Sequence, residues 1–176
     1  MGASAVLTGA AAVYLTRPNG GVAHVLTTPT KLGAYAQDPG LAAEMGAKTL
    51  QQQIISQGAG HARNVIYAVY EDSTGPAAAS GPQIILFIGG NLSGSSSGSF
   101  MSTFTSRLPG AVTTSAGPLG GEAACAPSTG GRPAECLWAD NDTFGVITSA
   151  TLSASGLADE MRQMRPMVEH QAGKAR

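Results

Sequence analysis

Between Asp38 and Gly58 the apolar residues Ala43, Ala47, Leu50 and Ile54 recur at helical spacing. Asp38-Pro39 sets a capping side chain before a proline suited to the first helical position. A helix over about 39–57 is predicted. The next apolar runs read differently: Asn64-Val-Ile-Tyr-Ala-Val-Tyr70 and Gln83-Ile-Ile-Leu-Phe-Ile88 are β-branched and aromatic on both faces. Such runs predict two central strands, paired or nearly so, across a Gly/Pro/Ala/Ser loop at 72–82.

Beyond a glycine- and serine-rich connection at 89–99, Phe100, Met101, Phe104 and Leu108 fall on one helical stripe that Pro109-Gly110 closes. Short strand signals follow near 112–116, 121–126, 134–140 and 143–149, separated by Gly, Pro, Asn and Asp as in an antiparallel meander. Leu157, Met161, Met164 and Val168 then give a C-terminal amphipathic helix, which Pro166 should kink or end early. Arg162 and Arg165 flank that stripe, where they should face solvent or the last helical carbonyls. An optional first strand lies near 31–36. Because regular helices do not separate the strands, the order predicts an α+β fold with an antiparallel or mixed sheet and helices packed on one or both faces.

Residues 3–15 are uncharged and mostly small or apolar, and they run into Thr16-Arg17-Pro18-Asn19-Gly20-Gly21. The stretch is shorter than the ~20 apolar residues that cross a bilayer, and no basic region precedes it. We therefore expect 1–22 to be the remainder of a longer signal or anchor segment with its linker, 23–172 a single α+β domain, and 173–176 a tail. The competing expectation is an ordinary buried N-terminal helix. At 176 residues one core is the natural size.

Charged residues are only 12% of the chain, 10 basic against 11 acidic, so no basic footprint for nucleic acid or an anionic membrane surface exists. Aromatic residues are 5%, too few for base-stacking platforms.

Cys125 and Cys136 flank Pro127-Ser128-Thr129-Gly130-Gly131, a segment able to reverse the chain, and two adjacent antiparallel strands would bring the pair within disulfide reach. Free core thiols in a cytosolic protein and a two-cysteine metal site are the alternatives. No histidine lies near either cysteine in sequence, which leaves a structural zinc short of ligands.

Gly94-Ser95-Ser96-Ser97-Gly98 matches the G-x-S-x-G turn of hydrolases, and Ser96, Asp140 or Asp142, and His170 would follow the α/β-hydrolase order. Five residues, Gly90 through Gly94, nonetheless separate the apolar strand from the serine, and the match lies in a tract where it arises by chance. The same loop before a helix has the form of an anion cradle, without a Walker lysine or a dinucleotide fingerprint. His24, His61 and His170 stand apart from metal-ligand spacings. Asp140-Asn141-Asp142 reads as a turn closed by Asx hydrogen bonds rather than a calcium loop. Trp138 reads as a core ring that covers the sulfurs. Neither a metal nor a cofactor is expected.

Gly117-Pro-Leu-Gly-Gly121, Cys125, Cys136-Leu-Trp-Ala-Asp140, Phe144-Gly145 and Leu157 through Glu169 together resemble a set of actinobacterial membrane-anchored proteins of unknown function. The resemblance spans roughly 25–170. It implies a basic N-terminus and a transmembrane segment ahead of the domain, a paired-cysteine hairpin, and a location at the cell membrane on the extracytoplasmic side, or secretion. No catalytic or ligand-binding residue comes with it. The expected role is a non-catalytic cell-envelope domain binding a lipid or an envelope protein, with a small Ser96 hydrolase and a structural or assembly component as the rivals.

Overall fold

The computed structural model describes residues 24–57, 61–74, 81–93 and 97–171. Its strands are β1 (His24–Leu26), β2 (Lys31–Leu32), β3 (Tyr35–Gln37), β4 (Ala62–Asp72), β5 (Gln83–Leu92), β6 (Val112–Thr114), β7 (Glu122–Ala126), β8 (Ala134–Ala139), β9 (Thr143–Ser149) and β10 (Glu169–Gln171). The helices are α1 (Pro39–Glu44), α2 (Ala47–Gln57), α3 (Ser97–Thr105) and α4 (Ala154–Val168). The apolar N-terminal segment lies outside the described residues. Among those that are described, no helix is long and apolar enough to cross a membrane.

The fold is α+β. Eight strands form one sheet in the order β2-β3-β4-β5-β9-β8-β7-β6, and every pairing is antiparallel. β5, β8 and β9 occupy the middle and are buried on both faces, which is why their sequences are apolar without alternation. α4 covers one face through Leu157, Ala158, Met161, Met164 and Val168. The other face packs Ala42, Ala47 and Ile54 of α1 and α2, and Phe100 and Met101 of α3, against Leu86, Leu137, Phe144 and Val146.

Three local expectations change. The helix expected over 39–57 begins as read, with Asp38 Oδ1 accepting from the Leu41 N–H at 2.9 Å, but it is two helices. Gly46 at φ +65° breaks it after the Met45 cap, because the left-handed conformation cannot continue a right-handed helix. The strand read at 31–36 is a tight β2–β3 hairpin. Pro166 does not end α4, which runs on to Val168. Its missing N–H lies in the last turn, and Met164, Arg165 and Val168 on either side are all buried, so packing outweighs the ~3 kcal/mol that an interior proline costs.

Cys125 and Cys136 face each other across β7 and β8 and form a disulfide with Cα atoms 4.1 Å apart. Trp138, two residues on and on the same face, is fully buried. Its ring stacks on Phe87 at 5.9 Å between centroids and lies over Gly145, its cross-strand partner. A Cβ at Gly145 would enter the indole ring, so this position holds glycine for close approach.

Gly145→Ala should destabilise the protein by about 1–3 kcal/mol through overpacking, read as a lower urea midpoint; an unchanged midpoint would place the ring elsewhere. Replacing both cysteines by serine should cost about 2–3 kcal/mol on the loop-entropy account. Denaturation with and without reductant should show the same loss in the parent and none in the double variant.

Candidate functional site

The strongest concentration of polar side chains is buried at the end of the sheet where β8 stops, β9 starts and α4 runs into β10. Its centre is Arg165, which is fully buried although its sequence position suggested solvent. Positions 161, 164, 165 and 168 follow the i, i+3, i+4, i+7 rule, so Arg165 belongs to the inward stripe. Helical geometry thus aims a guanidinium into the core, where a charge needs full pairing.

It receives that pairing. Nε donates to Glu169 Oε2 at 2.8 Å and Nη2 to Asp140 Oδ2 at 3.0 Å and Glu169 Oε1 at 3.5 Å. Nη1 donates to the carbonyls of Ala116, at 3.1 Å, and Gly120. The guanidinium carbon also lies 5.7 Å from the centroid of the Trp138 ring, whose Nε1–H donates to Glu169 Oε2 at 3.3 Å. Asp140 Oδ1 accepts from the N–H groups of Asp142 and Thr143, both at 2.7 Å, which closes the Asx turn expected from the sequence.

The fifth side chain of the cluster is that of His24 of β1. Its Nδ1 is sealed from solvent and lies 3.2 Å from Glu169 Oε1 and 3.7 Å from Asp140 Oδ2, with no aligned hydrogen bond to either. Burial raises the Glu169 carboxyl above the ordinary carboxylate range; Arg165 works against this and Asp140 with it. At Asp140 burial also pulls upward, but hydrogen bonds from Glu169, Asp142 and Thr143 and the Arg165 charge outweigh it and hold that carboxyl low. Two neighbouring carboxyls are thereby pushed apart, with Asp140 keeping its charge and Glu169 favouring its proton.

His24, Asp140 and Glu169 bring three potential ligand atoms within 4.8 Å of one another. Arg165 already occupies both carboxylates, so a divalent cation would sit against a buried guanidinium. The geometry is that of an ion-pair staple.

Of the residues of the hydrolase reading, the structure describes Asp140, Asp142 and His170. Ser96 lies outside the described residues. His170 sits on β10 opposite Val25 and shares no hydrogen bond with Asp140, whose oxygens are committed to Arg165 and the turn. The start of α3, the expected anion cradle, is faced by Glu122, whose Oε1 accepts from Ser97 Oγ at 3.3 Å. A carboxylate of the chain itself holds that position. His61, just before β4, is anchored through Nδ1 to the Ser93 carbonyl at 2.8 Å.

A second site lies at the opposite end of the strands, on the face shared by α1, α2 and α3. α1 and α2 pack on β4 and α3 on β7 and β8, and beside α1 the start of β5 and the end of β9 border a recess. The result is a cavity of about 440 Å³, walled by Leu41, Met45 and Ile84 and closed by Thr148, Thr151 and Arg132. The Arg132 guanidinium reaches only the Arg107 carbonyl, at 3.5 Å. Glu135 stands opposite Thr148 on β8, and burial pushes its carboxyl up while Arg132 pulls it down. Sequence reading expected a lipid or an envelope protein as the partner but named none of these residues, because they come from α1, β5, the β7–β8 turn and the end of β9. No protein-family model, curated protein or solved structure matches the chain.

Arg165→Met should destabilise the protein by about 3–5 kcal/mol at neutral pH, since it strands buried carboxylates without their cation. The deficit should shrink on acidification, as protonation removes the unpaired charge. Urea denaturation of parent and variant at neutral and acid pH measures both, and an undiminished deficit in acid would contradict the assignment.

Proposed function

We propose that the chain is a non-catalytic binding domain of the cell envelope, on the extracytoplasmic side of the membrane or secreted, and that its cavity takes the chain of an anionic amphiphile. The observation that carries this reading is the cavity itself: about 440 Å³, apolar on the α1 and β5 side, with the Arg132 guanidinium at its edge beside the half-buried Glu135. Its size falls in the range of small-ligand sites, and few convergent polar groups on apolar walls are the usual composition of one. An apolar chain fits against Leu41, Met45 and Ile84, and Arg132 is placed to meet a carboxylate or phosphate head.

The envelope location has its own support. The disulfide fits an oxidising compartment, and the resemblance to membrane-anchored proteins and the apolar segment ahead of β1 lead to the same place. The buried polar cluster supports a non-catalytic role, since its donors and acceptors are turned on one another rather than toward an open site.

Calorimetric titration with dodecanoic acid below its micelle concentration should show saturable one-to-one binding, with decanol weaker. Met45→Trp, which fills the cavity, should abolish it, and Arg132→Ala should weaken it about tenfold or more, as loss of a charge-assisted hydrogen bond implies. Absence of saturable binding, or binding indifferent to Met45→Trp, would remove the cavity from the proposal. A fluorophosphonate probe should leave the protein unlabelled; labelling lost in Ser96→Ala would establish the hydrolase instead.

A further inference from the structure

The first described residues form a strap. β1 pairs only with β10, as His24↔Gln171, Val25↔His170 and Leu26↔Glu169. Leu26 packs against the core on the α4 side, the Thr27 N–H donates to the Val168 carbonyl at 2.8 Å, and the Asn91 amide donates to the His24 carbonyl at 3.1 Å. Further on, the Pro29 carbonyl accepts from Tyr70 Oη at 3.0 Å and the Thr30 carbonyl from the Gln37 N–H at 3.0 Å. Residues 29 and 30 are thus held independently, and 24–27 depend on β10, Asn91 and the contact of His24 with the buried cluster.

That cluster has a charge imbalance. Arg165 supplies one positive charge against two carboxyls, Asp140 and Glu169, and its five hydrogen bonds leave no further donor to offer. Neutrality in the interior requires one more proton. The groups facing His24 are Asp140 from the end of β8, Arg165 and Glu169 from α4 and its cap, and the uncharged Asn91 from β5. Asp142 and His170 adjoin these in sequence as the nearest further titratable groups. With Asp140 bound to the Asx turn and to Arg165, the proton's place is Glu169, whose Oε1 lies 3.2 Å from His24 Nδ1.

We propose that the His24–Glu169 contact is a proton-dependent clasp on the N-terminal strap: the cluster holds β1 against β10 while it carries the extra proton and loosens it when that proton passes to solvent. A protonated contact leaves the cluster neutral overall. A deprotonated one leaves a net negative charge in a site closed to water, and the cheapest relief is for the short strand that seals it to open.

The direction follows from the carboxyl that favours its proton. Glu169 lies above its ordinary value in the folded chain, so the folded form binds the extra proton more tightly than the form with the strap open. The stability it contributes is complete below the ordinary carboxylate pKa and is lost as pH rises through the raised value. Asp140, held low, contributes in the opposite sense, and its part is lost only on strong acidification. Between these limits the strap tightens as pH falls.

Hydrogen exchange of the intact oxidised chain, read by mass spectrometry and corrected for intrinsic rates, tests this. Protection of peptides covering 24–28 should fall severalfold as pH rises from the ordinary carboxylate range through the raised Glu169 value, while β5 and β9 stay unchanged. Glu169→Gln makes the neutral form permanent and should abolish the step. His24→Gln, at a strap position whose side chain is 23% exposed and whose loss spares the core, should displace its midpoint. A flat parent profile, a step that survives Glu169→Gln, or an unmoved midpoint in His24→Gln overturns the proposal.

Discussion

The Arg165 guanidinium donates five hydrogen bonds inside the protein, to Glu169 and Asp140 side chains and to the carbonyls of Ala116 and Gly120. A charge in that position is tolerable only when each donor has a partner, and the partners come from three places in the chain. One is its own helix, one the β8–β9 turn, and one the 115–121 connection between β6 and β7. Together they tie α4 to the end of the sheet and close the core around Trp138. The glycine-rich run from 117 to 121 can follow the guanidinium closely because its backbone, rather than its side chains, makes the contact.

The two ends of the sheet do different work as a result. At the β8–β9 turn, polar groups are locked into one another and β1 is drawn across them, which leaves a sealed cluster with one proton still to place. At the β7–β8 turn, the start of β5 and the end of β9 border a cavity with an apolar wall from α1 and an arginine on its edge. Both arise from one sheet that is apolar on both faces. The disulfide lies between, pinning the hairpin whose turn forms one wall of the cavity.

Much of the fold was legible in order and type. The strands at 64–70 and 83–88, the four short strands after 112, the capped start at Asp38 and the stripe of α4 all follow from spacing. The cysteine hairpin was legible too, because a reversing segment between two strand-like runs leaves little choice of geometry. The break at Gly46 was less so, since a glycine in a helical pattern signals an interruption only when its backbone turns left-handed. Pro166 was misread for a related reason. Local propensity assigns proline a cost, and whether that cost prevails depends on what packs around it.

The candidate sites were scarcely legible. His24 stood in a presumed linker, Arg165 on a presumed solvent face, and Glu169 at the end of a helix, so nothing in sequence joined them; only the inward register of position 165 carried a hint. What the chain determined by itself was local: periodicities of 2 and 3.6, capping and turn residues, and a cysteine pair able to meet. Which helix covered which face, the burial of a charge at the price of five hydrogen bonds, the imbalance at His24 and the cavity beside α1 were decided by tertiary structure. Each depends on distant groups being brought within a few ångströms, as with His24 and Glu169, 145 positions apart on the first and last described strands. Distances of that kind are set by packing of the whole and have no counterpart in the order of residues.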